Sequence, residues 1–464
     1  MNKITFNCKK TKELTKIEDL LNSREDIDEG TGYPNQKKMF QCGQLLLDHL
    51  NNTKEKGAFC VVQVLNTERS YIYGGAEQNL RLWQKIIDCI VLNLPENTYV
   101  GRVSLGVAIH LWGENALEQL IKAIEKFTYT LENMQVDGID LVSGISPFLA
   151  TRTGYVIYPD DTGCLNEFKP ITRFAALASS EITSQLMVSQ CHRFTQEIVN
   201  RADNYVHTEK LLIESIISLD FDLYFQAQHN LITNKVIGAE ALSRWTGEGL
   251  SASKTYDYIC IIENSRYVTD FTQQAFYKII AFFNKNRSLI PSNFQLSFNV
   301  SPAVFRWPKF NLAQMVKDEV DKDPDLASHL TIEITESAYT NKIISDIAIK
   351  SLCQLDELGV KVSIDDFGSG YGALKLLASN IPKCIKLDRE LTTEFCSSDI
   401  KEQSYIKSLV HTVNISGLSV IAEGIETLGQ KEFLIKNGIF YGQGYLYSKP
   451  LPEKEFISYL QRTM

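Results

Sequence analysis

The apolar positions of this 464-residue chain fall into four sections with different patterning. Met1 to Glu29 is mostly polar and reads as a helical lead-in. From Gly30 to Glu181, helix-like and strand-like segments alternate, as in a mixed α/β domain. From Ile182 to Val206, the apolar residues Leu186, Val188, Ile198 and Val199 stand among polar ones, which predicts a linker helix between two domains. From His207 to Met464 the pattern changes to eight short apolar runs that read as strands. They are FDLYFQA, VIGAEAL, FQLSFNV, LTIEIT, KVSID, CIKLD, SVIAEG and FYGQGYLY, the last spanning Phe440 to Tyr447. Most are separated by enough chain for a helix. Eight strands with helices over about 250 residues predict an α/β fold, a (β/α)8 barrel of the TIM type. The connection between the first two runs, HNLITNKV, is too short for a helical crossover, so those strands should pair antiparallel. The barrel should therefore carry one reversed strand.

Length and composition support this division. A chain of 464 residues exceeds one ordinary core, and 44% hydrophobic with 22% charged residues is a soluble globular composition. The net charge of −9 argues against a nucleic-acid polymer or an anionic membrane as partner. A small anionic ligand held at a local site remains compatible with it. No run of about 18 uncharged apolar residues predicts a membrane span. The opening MNKITFNCKKTKELTK has lysines but no apolar h-region, so no secretory signal is expected. The ten cysteines form no C-x-x-C pair and are expected to be reduced core residues rather than disulfides or zinc ligands. The expected location is the cytoplasm.

The candidate chemistry lies at the carboxyl ends of the predicted barrel strands, where barrel enzymes carry their working residues. Those ends hold Glu240, Asn299, Glu333, Asp365 with Asp366, Lys386 with Asp388, Glu423 and Gln443. Carboxylates converging on one barrel mouth repel each other, and a divalent cation is the usual remedy. Adjacent strand residues face opposite sides, so Asp365 and Asp366 reach one site only if the strand ends there and the chain turns. The glycine-rich FGSGYG that follows permits such a turn. By the same parity, Glu333 belongs to its strand end and Glu336 to the loop after it. Hard oxygen donors without nearby histidine or cysteine favour magnesium or manganese over zinc. Two such ions suit an in-line displacement at phosphorus, so phosphodiester hydrolysis is the natural reaction class. Arg244 is placed to take a phosphate oxygen, and Lys386 to stabilise the attacking water or the charge growing on the phosphate. Blander roles stand beside these: a helix cap for Asp365 and Asp366, a cap for Glu336, pairing of Lys386 with Asp388, and a satisfied barrel amide for Gln443.

GAEALSRW, FNVSP, IEITES, SIDDFGSGYGAL, CIKLDRE, VIAEGIET and GQGYLYSKPLP resemble, in order, the successive motifs of the EAL-domain family. The resemblance implies a barrel with one antiparallel strand that opens cyclic di-GMP to linear pGpG, using magnesium or manganese at a two-metal site. It implies that Glu240, Asn299, Glu333 and Asp365 hold the first metal and that Asp365, Asp366 and Glu423 hold the second. Lys386 resembles the water-orienting lysine, Glu336 the glutamate that fixes the DDFGSG loop, Gln443 the active-site glutamine, and Arg244 a phosphate contact. After Trp245, TGEGLSASKTYDYICIIENS departs from the family's usual proline-containing stretch. Homodimerisation is a further expectation carried by the resemblance.

In the N-terminal half, DEGTGYPNQKKMF and TGYVIYPDDTG resemble segments of GGDEF domains, which accompany EAL domains. GRVSLGVAIHLW stands where the GGDEF signature belongs, and Ser104, Leu105, Gly106, Val107 and Ala108 occupy its five positions. These residues supply no carboxylate for magnesium. FCVVQVLN lacks the expected metal-binding aspartate, and Pro95 to Thr98 stands where an inhibitory arginine–x–x–aspartate site belongs. The expectation is a degenerate GGDEF domain over residues 30–181: an α/β sandwich, regulatory rather than a cyclase. The leading function is a cyclic di-GMP phosphodiesterase. The alternatives are a non-catalytic cyclic di-GMP receptor signalling through the N-terminal domain, and a protein-interaction adaptor.

Overall fold

The structure, a computed structural model, describes residues 11–134, 149–181, 188–245, 247, 249–251, 254–335, 342–367, 381–396 and 400–463. The chain divides into two compact units, Met1–Tyr205 and Val206–Met464.

In the first unit a five-stranded sheet has the order β2-β3-β1-β4-β5. Its strands are β1 (Gly57–Val64), β2 (Thr98–Val103), β3 (Gly106–Trp112), β4 (Thr151–Tyr158) and β5 (Gln190–Arg193). The strands pair antiparallel except for β4 with β5, which run parallel. The period of two sorts β1 between two cores. Phe59 and Val61 face the helices Lys12–Asn22, Gln36–Thr53 and Lys169–Ser180, while Ala58, Cys60, Val62 and Val64 face Glu68–Leu92 and Ala116–Glu132. The hairpin between β2 and β3 needs its glycine: Gly106 has φ +151, and a Cβ there would lie 2.0 Å from the Val62 carbonyl oxygen. The polar lead-in is part of this unit, because Leu14, Ile17 and Leu21 of its helix are buried in the core.

The linker helix expected over Ile182 to Val206 is corrected. Gln190–Arg193 is strand β5 on the edge of β4, and the helix begins only at Gln196 and runs to Ser218. Backbone ladder bonds to β4 hold β5, so its polar side chains carry no strand signal. Phe194, Ile198 and Val199 are buried in the first unit, which accounts for the apolar spacing read as one helix. No disulfide joins the described cysteines; Cys42, Cys60 and Cys89 are buried, whereas Cys164 and Cys191 are exposed and are not core residues.

The second unit is a closed barrel. Strand β6 (Asp222–Asn230) pairs antiparallel with β7 (Val236–Arg244), as the short connection predicts. The turn is held by Asn230, whose side chain accepts from the amides of Ile232 and Thr233, both at 3.0 Å. Then β8 (Gln295–Asn299), β9 (Leu330–Thr335), β10 (Lys361–Phe367), β11 (Cys384–Leu387), β12 (Ser419–Ala422) and β13 (Tyr441–Gly442) follow in parallel succession from β7. Closure is antiparallel, β13 on β6, and β14 (Leu451–Pro452) adds to the same strand. The eighth run is thus a strand for two residues only, and Gly444 to Tyr447 turns away. No helix among the described residues is long and apolar enough to cross a membrane.

Candidate active site at the carboxyl ends of the barrel strands

Strand register brings the predicted acids together. Asn299 on β8 pairs with Glu333 on β9, and Glu333 pairs with Ser363 on β10, two residues before Asp365. Glu240, Glu333 and Asp365 are buried, and each places a carboxylate oxygen within 4.8 Å of the others. Lys386 rises from β11 into this cluster with 1% of its surface exposed. Its Nζ lies 2.6 Å from Glu333 Oε2, 2.7 Å from Glu423 Oε1, 3.0 Å from Asp365 Oδ1 and 3.3 Å from Glu240 Oε2. Pairing with Asp388 does not occur: that carboxylate caps the helix Arg389–Phe395 by accepting from the Leu391 amide at 2.6 Å.

Amides complete the cluster. Asn299 Nδ2 donates to Glu240 Oε1 at 2.7 Å. Gln443 Nε2 donates to Glu240 Oε2 at 2.7 Å and to Glu423 Oε1 at 3.0 Å. Gln443 is therefore both a satisfied barrel amide and a member of the site. A residue not singled out from the sequence supports it: Gln228 Nε2, buried on the reversed strand, donates to Gln443 Oε1 at 3.2 Å. The available signal was register. In the β6–β7 ladder Gln226 faces Glu240 and Gln228 faces Gly238, so the period of two puts Gln228 on the Glu240 side. Gly238 leaves the space, since a Cβ there would meet Gln228 Oε1 at 3.0 Å and the Gln295 carbonyl oxygen at 2.6 Å.

The parity of Asp365 and Asp366 is resolved by a bulge rather than by the end of the strand. The β10–β11 register shifts between Ile364 and Phe367, and Asp366 takes φ +51. Asp365 is buried, Asp366 is exposed, and both line the same cleft. This cleft has a volume of about 890 Å³, and its wall also carries Arg244, Tyr256, Tyr445 and Lys449. Lys449 belongs to none of the strand-end positions expected to carry the chemistry; it lies over the Tyr445 ring at 5.3 Å. Glu336 lies outside the described residues, as do residues 368–380.

One ammonium among four carboxylates sets the electrostatics. Burial raises Glu333 well above the usual carboxylate range, and Glu240 and Asp365 add to the rise against the pull of Lys386. Burial likewise pushes Glu423 up to about 8. Glu240 is also buried, but Lys386, Gln443 and Asn299 together outweigh burial and hold it below its ordinary value. Although the residue is exposed, partial desolvation of the Asp366 carboxyl in the cleft, with the neighbouring Asp365 charge, raises it. Lys386 is itself held well above its ordinary value: burial works against its charge, and Asp365, Glu240, Glu333 and Glu423 overcome it. An all-oxygen donor set with excess negative charge fits a hard divalent cation.

A family model described as the EAL domain matches residues 211–450. The chain is 30% identical over 241 residues to the cyclic di-GMP phosphodiesterase RocR of Pseudomonas aeruginosa, covering 52% of this chain and 60% of RocR. It is 27% identical over 274 residues to the cyclic di-GMP phosphodiesterase PdeL of Escherichia coli, covering 58% of this chain and 72% of PdeL. Against the signaling protein YkoW of Bacillus subtilis it is 26% identical over 274 residues, 59% of this chain, but spans only 33% of that relative. Among solved structures, the EAL enzyme Bd1971 with cAMP and cyclic di-GMP bound matches with a TM-score of 0.52 and 27% identity, covering 57% of this chain and 71% of that one. The S helix–GGDEF–EAL structure of Vibrio cholerae LapD matches with a TM-score of 0.51 over 94% of this chain and 99% of that one; at 18% identity this is a likeness of fold alone. With the model matched over more than half of its length, the chain belongs to the EAL-domain family.

Proposed function

We propose that the barrel hydrolyses cyclic di-GMP to linear pGpG, with magnesium or manganese held by Glu240, Asn299, Glu333 and Asp365 and a second ion by Asp365, Asp366 and Glu423. The observation that carries this reading is the buried cluster of Glu240, Glu333 and Asp365 around Lys386, open to a cleft large enough for a dinucleotide. It is supported by relatives whose names carry the same activity. When bound, the ions supply Lewis acidity toward a phosphodiester oxygen and lower the pKa of a coordinated water. The chain's own residues do the rest. Lys386 keeps a fixed positive charge beside the acids and orients the attacking water. Gln443, braced by Gln228, holds the carboxylates of Glu240 and Glu423 in one geometry. Arg244 and Lys449 present cations to the substrate's phosphates from the cleft wall. Glu336 is assigned to ordering the loop that follows Asp366.

The N-terminal unit is read as a degenerate GGDEF domain that regulates the barrel and does not synthesise cyclic di-GMP. The hairpin at Ser104 to Ala108 supplies no carboxylate, which supports this. Homodimerisation belongs to the same reading and is checked by sedimentation of the purified chain.

The test is incubation of the full chain with cyclic di-GMP and manganese or magnesium, with products separated by chromatography. The expected product is pGpG, and Glu240→Ala abolishes it. Binding without turnover in the wild type would replace the enzyme with a receptor. Cyclic di-GMP formed from GTP would overturn the account of the N-terminal unit.

A further inference from the structure

The N-terminal unit holds a cavity of about 320 Å³ that the barrel chemistry does not use. Its walls include Phe40, Phe59, Phe168 and His110, with Leu105 and Ala108 of the β2–β3 hairpin. The rings meet edge to face: Phe59 and Phe168 have centroids 5.1 Å apart, His110 and Phe168 also 5.1 Å, and Phe40 and Phe168 5.9 Å. Phe40 and Leu105 are 41% and 51% exposed, so the cavity opens to solvent past apolar groups. The positions that offer no carboxylate for a metal thus form part of an apolar, aromatic chamber.

Two side chains indicate what enters it. His110 is 4% exposed, and burial pushes it down to about 3, so the ring is neutral. Its Nδ1 lies 2.9 Å from the Tyr99 hydroxyl, while Nε2 has no protein partner among the described residues. Lys169, at the start of the helix Lys169–Ser180, also lines the cavity; it is exposed, and its ammonium forms no ion pair among the described residues. Arg173, one turn further on, is already held by Asp203 at 2.6 Å. A triphosphate fits this lining poorly, because Lys169 and Arg173 are its cations and Arg173 is taken.

We propose that this cavity is a binding site for a small planar aromatic carboxylate, its ring in the chamber bordered by Phe40 and Leu105 and its carboxylate at Lys169. The volume lies near the lower end of small-molecule sites, roughly 300–1,000 Å³. Aromatic walls reward a planar ring through edge-to-face and offset contacts. The cation at the mouth selects an anion over its neutral analogue. The site is independent of the barrel's activity.

The experiment titrates the full chain with 2-naphthoate by calorimetry. One saturable site per chain is expected. Ala176→Phe, which fills the cavity, weakens binding about tenfold or more. Lys169→Glu changes an exposed position, leaves the circular dichroism spectrum unaltered, and weakens binding about fivefold. The uncharged isostere 2-naphthamide binds wild type and Lys169→Glu alike. Absence of saturable binding to the wild type, or unchanged affinity in both variants, overturns the site. Equal affinity for decanoate overturns the aromatic assignment, and equal effects of Lys169→Glu on naphthoate and naphthamide overturn the anionic one.

Discussion

Lys386 Nζ lies 2.6 Å from Glu333 Oε2, with both side chains 1% exposed. Such a pair, out of water and joined by three further carboxylates, is held by mutual compensation. Removing one partner of a buried pair costs about 3–5 kcal/mol because the other charge is left uncompensated. Lys386→Met should therefore lower stability in denaturant titrations by an amount in that range and abolish pGpG formation. A variant with wild-type stability would mean that the four carboxylates do not depend on the ammonium.

A divalent cation should stabilise the same cluster from outside. Ligand that binds only the folded state raises stability by about 2.7 kcal/mol at 100-fold excess over its Kd. Manganese should raise the Tm of the barrel and excess chelator should reverse it. In Glu240→Ala the manganese shift should shrink to a small fraction of the wild-type value, read by scanning calorimetry without any substrate.

Gln228 is not among the residues that line the cleft, yet it fixes the amide that braces Glu240 and Glu423. Gln228→Ala leaves Gln443 Oε1 without this donor, at a cost of about 1–3 kcal/mol for a buried unsatisfied group. Turnover should fall about tenfold in kcat with a smaller change in KM, since the carboxylates lose their fixed orientation. Steady-state kinetics at saturating metal separate this from simple unfolding. An unchanged kcat would remove Gln228 from the site.

Asp366 stands at φ +51 in the β10 bulge. Left-handed backbone costs most non-glycine residues about 1–2 kcal/mol and glycine little. Asp366→Gly should keep or slightly raise thermal stability while lowering pGpG formation. Asp366→Val should lower both. Equal stability of the two variants would show that the bulge relaxes on substitution.

His110 gives the N-terminal unit a pH dependence of defined sign. Burial lowers its pKa to about 3, against about 6.5 in the unfolded chain, so the unfolded state binds more protons between these values. Its contribution is fully present above about pH 6.5 and is lost as pH falls toward about 3, by about 1.4 kcal/mol per unit. Denaturant titrations of wild type and His110→Phe across this window should show a shallower slope in the variant. Parallel slopes would mean that another group sets the acid limit.

The strand-end acids were legible because a barrel obliges residues at successive carboxyl ends to converge. The antiparallel start was legible from one short connection, HNLITNKV. Gln228 was not, because it sits on the reversed strand and only its pairing opposite Gly238 aims it at Glu240. Strand β5 was hidden for a related reason: Gln190 to Arg193 has no apolar alternation, and its ladder with β4 is made by backbone groups that every sequence carries. The length of the eighth run misled in the opposite direction, since FYGQGYLY is mostly aromatic and apolar but pairs over Tyr441 and Gly442 alone.

By itself, then, the sequence determined the two-part organisation, the barrel with its reversed strand, and the convergence of Glu240, Glu333, Asp365 and Glu423 on its mouth, because periodicity and loop length are local properties of the chain. Only the tertiary structure decided how those side chains bind one another. Lys386 answers to four carboxylates rather than to Asp388, Asp366 reaches the cleft through a bulge, and the hairpin at Ser104 to Ala108, which carries no carboxylate, helps line an aromatic cavity. Each of these depends on register and distance between residues far apart in the chain. Those quantities are set by packing and ladder pairing across strands, which no single segment encodes.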